Sequence, residues 1–161
     1  METDIKTVIS QVAELLTANK EMLAVAESCT GGWLAKVCTD LPGSSEWFER
    51  GFVTYSNEAK HDMLGVSELT IDTYGAVSAN TVEQMVSGAL SHSRADWAIA
   101  ISGVAGPGGG SEVNPVGSVW FAWMKKNQSS TTIKKIFSGE REKVRQQSVE
   151  FALEELAKLL K

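Results

Sequence analysis

Apolar residues at Ile5, Val8, Ile9, Val12, Leu15 and Leu16 recur every three or four positions, the period of a helix with one buried face. Thr3 stands before that run as its predicted cap. The pattern then changes. Met22-Leu23-Ala24-Val25-Ala26 is a short unbroken apolar run, which predicts a strand over 22–27 buried on both faces. A helix over about 30–39 follows and stops at the turn cluster Leu41-Pro42-Gly43-Ser44-Ser45, after which Gly51-Phe52-Val53-Thr54-Tyr55 reads as a second strand. Ser56 or Asn57 starts a helix that carries Lys60, and a short helix lies near 70–74. Val82, Met85, Val86, Ala89 and Leu90 mark an amphipathic helix capped by Ser78 or Asn80. Trp97-Ala98-Ile99-Ala100-Ile101 is a buried central strand, segments 117–123 and 132–137 form a hairpin, and a long helix over about 140–160 closes the chain.

Strands alternating with helices early and a hairpin late imply a three-layer α/β/α fold with a mixed, mostly parallel sheet, in a single domain over residues 1–161. Ligands of such sheets bind beyond the carboxyl ends of the parallel strands. Ser28, Tyr55 and Ser102 each follow a predicted strand and would share that rim. With 161 residues, 43% of them apolar, and five tryptophans, the chain buries a core without staples. A net charge of −5 offers no general attraction to nucleic acid or to an anionic membrane, so neither is an expected partner. No apolar run approaches the ~18 residues of a spanning helix. Cys29 and Cys38 are too few for a disulfide framework, and with no basic-plus-apolar leader the expected location is the reducing cytoplasm.

Three segments carry candidate chemistry. Ala26-Glu27-Ser28-Cys29-Thr30-Gly31-Gly32 sets hydroxyls and two glycines where strand gives way to helix, a corner suited to an oxyanion or phosphate, although Ser28 or Thr30 could simply cap the helix. The loop Ser102-Gly103-Val104-Ala105-Gly106-Pro107-Gly108-Gly109-Gly110-Ser111 satisfies neither nucleotide-binding glycine pattern. It reads as a backbone cradle or a flexible turn. Arg141 and Arg145, four apart at the start of the last helix, make a phosphate clamp or pair with Glu140 and Glu142. Cations there oppose the helix dipole, which points to work other than helix stability.

Six blocks in order resemble the CinA C-terminal domain family: residues 26–32, Gly43-Ser44-Ser45, residues 48–60, Gly75-Ala76-Val77-Ser78, residues 102–109 with Pro115-Val116-Gly117, and residues 139–145. Asn114 and Ser118 depart mildly from the family pattern. The resemblance implies hydrolysis of the carboxamide of nicotinamide mononucleotide to nicotinate mononucleotide and ammonia, without metal or organic cofactor, by a homodimer. It casts Ser28 as nucleophile. His61 and His92 lie outside these blocks, so Lys60 is the expected base, with Tyr55 relaying or orienting the proton. A free lysine pKa of about 10.4 requires that Lys60 be desolvated to serve. Backbone N–H groups near Thr30, Gly31 and Gly32, or near Ser102 and Gly103, would hold the oxyanion, while Arg141, Arg145 and Thr30 would grip the phosphate. A silent nucleotide-binding module and an amidohydrolase of another small amide are the alternatives.

Overall fold

The computed structural model describes residues 4–161. Helix α1 (Ile5–Asn19) precedes strand β1 (Leu23–Glu27), helix α2 (Trp33–Asp40) and strand β2 (Phe48–Val53). Helices α3 (Asn57–Leu64), α4 (Glu68–Tyr74) and α5 (Ala79–Ser91) lead to β3 (Trp97–Gly103), the hairpin β4 (Ser118–Lys125) and β5 (Thr131–Ile136), and α6 (Arg141–Leu160). The strands form one sheet in the order β2-β1-β3-β4-β5. β1 pairs in parallel with β2 and β3, whereas β4 is antiparallel to both β3 and β5. Four of the five strands therefore run one way, giving the mixed, mostly parallel sheet expected.

The alternation of side chains along each strand separates two unlike faces. Leu23, Val25, Ile99, Ile101, Phe121 and Trp123 turn toward α1, α2 and α6, where Trp123 donates its indole N–H to the Ala152 carbonyl at 3.0 Å. Ala24, Ala26, Ala98, Ala100 and Ala122 turn the other way and let α5 lie close, with α3 and α4 packed against it. At Gly88 of α5 a Cβ would overlap the Leu64 carbonyl, so only glycine lets α3 approach this closely.

Hydroxyl caps start the helices as the local sequence demands. Ser56 Oγ accepts from Ala59 N at 3.0 Å before α3, and Ser78 Oγ accepts from Thr81 N at 3.2 Å before α5. Thr3, the expected first cap, lies outside the described residues; Asp4 caps α1 by accepting from Lys6 N at 3.1 Å. The other departure is at the second helix. It begins at Trp33 rather than near Thr30, because Gly31 (φ +58°) and Gly32 (φ +102°) adopt left-handed conformations that end the turn after β1. Register then sets the rim: Glu27 lies opposite Val53 and Ile101, so the residues that follow each strand emerge at one edge of the sheet.

Candidate active site

Ser28 leaves β1 on the alanine face and meets α3. Its Oγ lies 3.0 Å from Lys60 Nζ, with the Tyr55 carbonyl oxygen at 3.4 Å as acceptor for its own proton. The lysine is 1% exposed, and Nζ also donates to the carbonyls of Thr54 at 3.0 Å, Tyr55 at 3.2 Å and Ser56 at 3.4 Å. Among the described residues no carboxylate pairs with it, and burial holds the Lys60 pKa below the ordinary lysine value, with Cys29 opposing that shift. Carbonyls suit either protonation state. An ammonium fills them with its three N–H groups, whereas a neutral amine keeps two N–H donors on carbonyls and turns its lone pair to the Ser28 hydroxyl.

The cleft above this pair holds about 300 Å³, at the small end of the ~300–1,000 Å³ of ligand sites. Ser28, Tyr55 and Ser102 line it together, as do Cys29, Asn57, Ala76, Val77 and the glycine loop at 103–106 and 108–109, and Arg141 closes one side. Among the described residues no Asp or Glu lines it, although the chain is acidic as a whole. Arg141 reaches across from α6, donating to the Gly106 carbonyl at 2.8 Å and to the Tyr55 hydroxyl at 3.2 Å. The side chain of Tyr55 is thus engaged with Arg141. What it offers Ser28 and Lys60 is its main-chain carbonyl.

The arginine pair divides. Arg145 does not line the cleft: it lies behind the Ser28 turn with Gly31, Gly32 and Trp33, stacked 5.5 Å from the Trp33 ring. Its Nε donates to the Cys29 carbonyl at 3.0 Å and its second terminal nitrogen to Thr30 at 3.1 Å. Thr30 is fully buried with an unpaired hydroxyl, and so lies out of reach of a phosphate in the cleft. The first amides of α2 are also occupied. Glu27, fully buried, accepts from Leu34 N at 2.8 Å and Ala35 N at 3.0 Å, placing its charge at the positive end of the helix. Burial pushes the Cys29 thiol up to about 11.

His61 bonds the Val66 carbonyl and His92 that of Gly88, both away from Ser28. Among the described residues no group of three or more His, Cys, Asp or Glu is placed to hold a metal ion, and no helix is long and apolar enough to cross a membrane.

Residues 5–160 match the family model of the CinA C-terminal domain. The chain belongs to that family. It is 52% identical over 155 residues to the nicotinamide-nucleotide amidohydrolase PncC of Escherichia coli (strain K12), an alignment covering 96% of this chain and 94% of the relative. The PncC of Pseudomonas putida is 47% identical, with 96% of each covered. The crystal structure of the competence/damage inducible protein CihA from Agrobacterium tumefaciens superposes with a TM-score of 0.96 at 42% identity, covering 100% of this chain and 98% of that one. Reasoning on residue types alone misses Ala76, Val77 and Asn57 in this CinA domain, because the first two carry no chemistry and Asn57 reads as a helix start. The block Gly75-Ala76-Val77-Ser78 was the available signal, since a glycine at φ +84° before a cap fixes where Ala76 and Val77 emerge.

Proposed function

We propose that the protein hydrolyses the carboxamide of nicotinamide mononucleotide, releasing nicotinate mononucleotide and ammonia, with Ser28 as nucleophile and Lys60 as general base. The observation that carries this reading is the 3.0 Å contact between Ser28 Oγ and a buried lysine that has no carboxylate partner among the described residues. Relatives named for nicotinamide-nucleotide hydrolysis at 47–52% identity supply the substrate class.

Neutral Lys60 takes the proton as Ser28 Oγ bonds to the carboxamide carbon, and backbone N–H groups at the rim hold the oxyanion. Protonated Lys60 then gives its proton to the departing nitrogen, the C–N bond breaks, and ammonia leaves an acyl ester on Ser28. Water attacks that ester, passing its proton to Lys60 and thence to Ser28 Oγ, and frees the carboxylate. The Tyr55, Thr54 and Ser56 carbonyls orient Nζ throughout. Arg141 takes the 5′-phosphate: a guanidinium has five N–H donors, and Gly106 and Tyr55 engage only part of them. The active unit is a cytoplasmic homodimer in this reading.

The test is release of ammonia and nicotinate mononucleotide by the purified protein, with free nicotinamide as the comparison substrate. Wild type turns over the mononucleotide, Ser28→Ala loses at least about a thousandfold in kcat, and Arg141→Gln raises KM some 10- to 100-fold, the value of a charge-assisted contact, with kcat nearly kept. A folded wild type that releases no ammonia from the mononucleotide overturns the proposal.

A further inference from the structure

In a parallel pair of strands, every second residue of one strand turns both its N–H and its C=O toward the other. Two bonds fix that phase for β3. Trp97 N donates to the Met22 carbonyl at 3.1 Å, and the Ile101 carbonyl accepts from Ser28 N at 3.0 Å, so the odd-numbered residues of β3 face β1. The even-numbered ones face β4, a phase that continues in Val104 N, which donates to the Ser118 carbonyl at 2.8 Å. The step from Trp97 to Met22, carried along the strand, aims Gly103 N at the carbonyl of Ser28.

That last rung of the ladder is missing. The Ser28 carbonyl accepts from Gly31 N at 3.0 Å instead, because the left-handed Gly31 folds the chain back after β1. Among the described residues Gly103 N makes no hydrogen bond. The released N–H is open to a ligand, since Gly103 is half-buried and lines the cleft with Ser28. Glu27 pairs with Ile101, so Ser28 stands opposite Ser102, one strand spacing of about 4.8 Å away, and Gly103 N belongs to the next peptide. It is also held still: a Cβ on Gly103 would lie 2.7 Å from a Val119 methyl and 2.8 Å from the Ser118 carbonyl oxygen, so β4 grips the end of β3 as only glycine allows. The neighbouring amides are committed. Ser28 N and Gly31 N are spent on carbonyls, and the Cys29 N–H lies against its own sulfur. Ala105 and Gly106 lie beyond the Val104 rung, on the side that Arg141 closes.

We propose that the Gly103 N–H is the oxyanion donor of this site, a ladder donor freed by the turn at Gly31 and aimed at the oxygen of the carbonyl that Ser28 attacks. The proposal rests on Ser28 as the nucleophile and deepens that reading. As Ser28 Oγ bonds to the carboxamide carbon, the C=O electron pair moves onto oxygen. An N–H already turned toward β1 and without a partner receives that charge with no rearrangement of the chain.

Backbone substitution isolates this N–H. Cell-free translation with a tRNA carrying glycolic acid sets an ester oxygen in place of the Gly103 nitrogen and leaves every side chain unchanged. Indolelactic acid in place of Trp97 makes the matching change at the far end of the strand, where the N–H is spent on Met22. The readout is labelling by a fluorophosphonate: Ser28 Oγ bonds to phosphorus, the P–F bond breaks, fluoride leaves, the proton passes to Lys60, and the phosphoryl oxygen gathers charge. Wild type is expected to label at Ser28. The Gly103 ester is expected to label roughly 10²–10³ times more slowly, the cost of one deleted oxyanion donor, with a Tm near that of wild type because its N–H had no partner. The Trp97 ester is expected to do the reverse, losing Tm and labelling within about threefold of wild type. With the mononucleotide, the Gly103 ester loses kcat and keeps KM.

A Gly103 ester that labels within about tenfold of wild type overturns the inference and leaves Ser28 standing as the nucleophile. A Tm that falls as far as that of the Trp97 ester overturns it as well, because the N–H would then be spent within the fold. So does a raised KM with kcat kept. Wild type that stays unlabelled at Ser28 overturns the inference together with the nucleophile. Wild type that labels at Ser28 but releases no ammonia, with a slow Gly103 ester, upholds the inference and removes only the nucleotide substrate.

Discussion

Lys60→Met is the sharpest test of the proposed dyad, because methionine keeps the buried unbranched stem and removes only the amine. A positioned general base contributes about 10²–10⁴ in rate. Two features of the site put the expected loss at the upper end. Nζ already sits 3.0 Å from Ser28 Oγ, and among the described residues no carboxylate or imidazole lines the cleft to replace it. A loss of about 10⁴ in kcat corresponds to roughly 5 kcal/mol of transition-state stabilisation. The assay is ammonia release across pH 6–10, with folding checked by circular dichroism. Its sign follows from the buried amine: the base form is needed, and burial favours that form by lowering the pKa. The rate therefore climbs as pH rises through the lowered Lys60 value and flattens before the ~10.4 of a free lysine. That rising limb is absent in Lys60→Met. The reasoning would be refuted by a variant that keeps more than a hundredth of wild-type kcat, or one whose rising limb stays at the same pH.

Glu27→Ala leaves the Leu34 and Ala35 amides unpaired at the start of α2, and an unsatisfied buried group costs about 1–3 kcal/mol, so urea unfolding is expected to show a loss of roughly 2–5 kcal/mol. Glu27→Gln, which keeps one acceptor oxygen, should lose less; equal losses would contradict the capping role. Gly88→Ala drives a methyl into the Leu64 carbonyl and is expected to cost about 1–3 kcal/mol. Because α3 also carries Lys60, kcat should fall with stability, and a stable, fully active variant would show that α3 yields without moving the base. With its pKa near 11, the Cys29 thiol stays protonated at pH 8, so iodoacetamide should leave it unmodified in the folded protein and alkylate it only after unfolding.

Local pattern carried much of this protein. The alternation of large residues and alanine in Trp97-Ala98-Ile99-Ala100-Ile101 already contains the two unlike faces of the sheet, and Ser56 and Ser78 cap their helices from adjacent chain. The placing of Ser28, Tyr55 and Ser102 after strands foretold a shared rim, because parallel pairing in register brings strand ends to one edge. Residue types did not reveal which partner each charged group would take. Arg141 and Arg145 look alike in sequence, one helical turn apart, yet one closes the cleft while the other braces the back of the turn. Tyr55 was expected to relay or orient the proton, and only the fold shows that its carbonyl meets Ser28 and Lys60 while its hydroxyl meets Arg141. Helix and strand periods follow from bonds between near neighbours, so sequence determines them almost alone. The desolvation of Lys60 and the division of the two arginines depend on carbonyls delivered from distant segments, and every residue type has the same carbonyl, so only the packed chain could decide them.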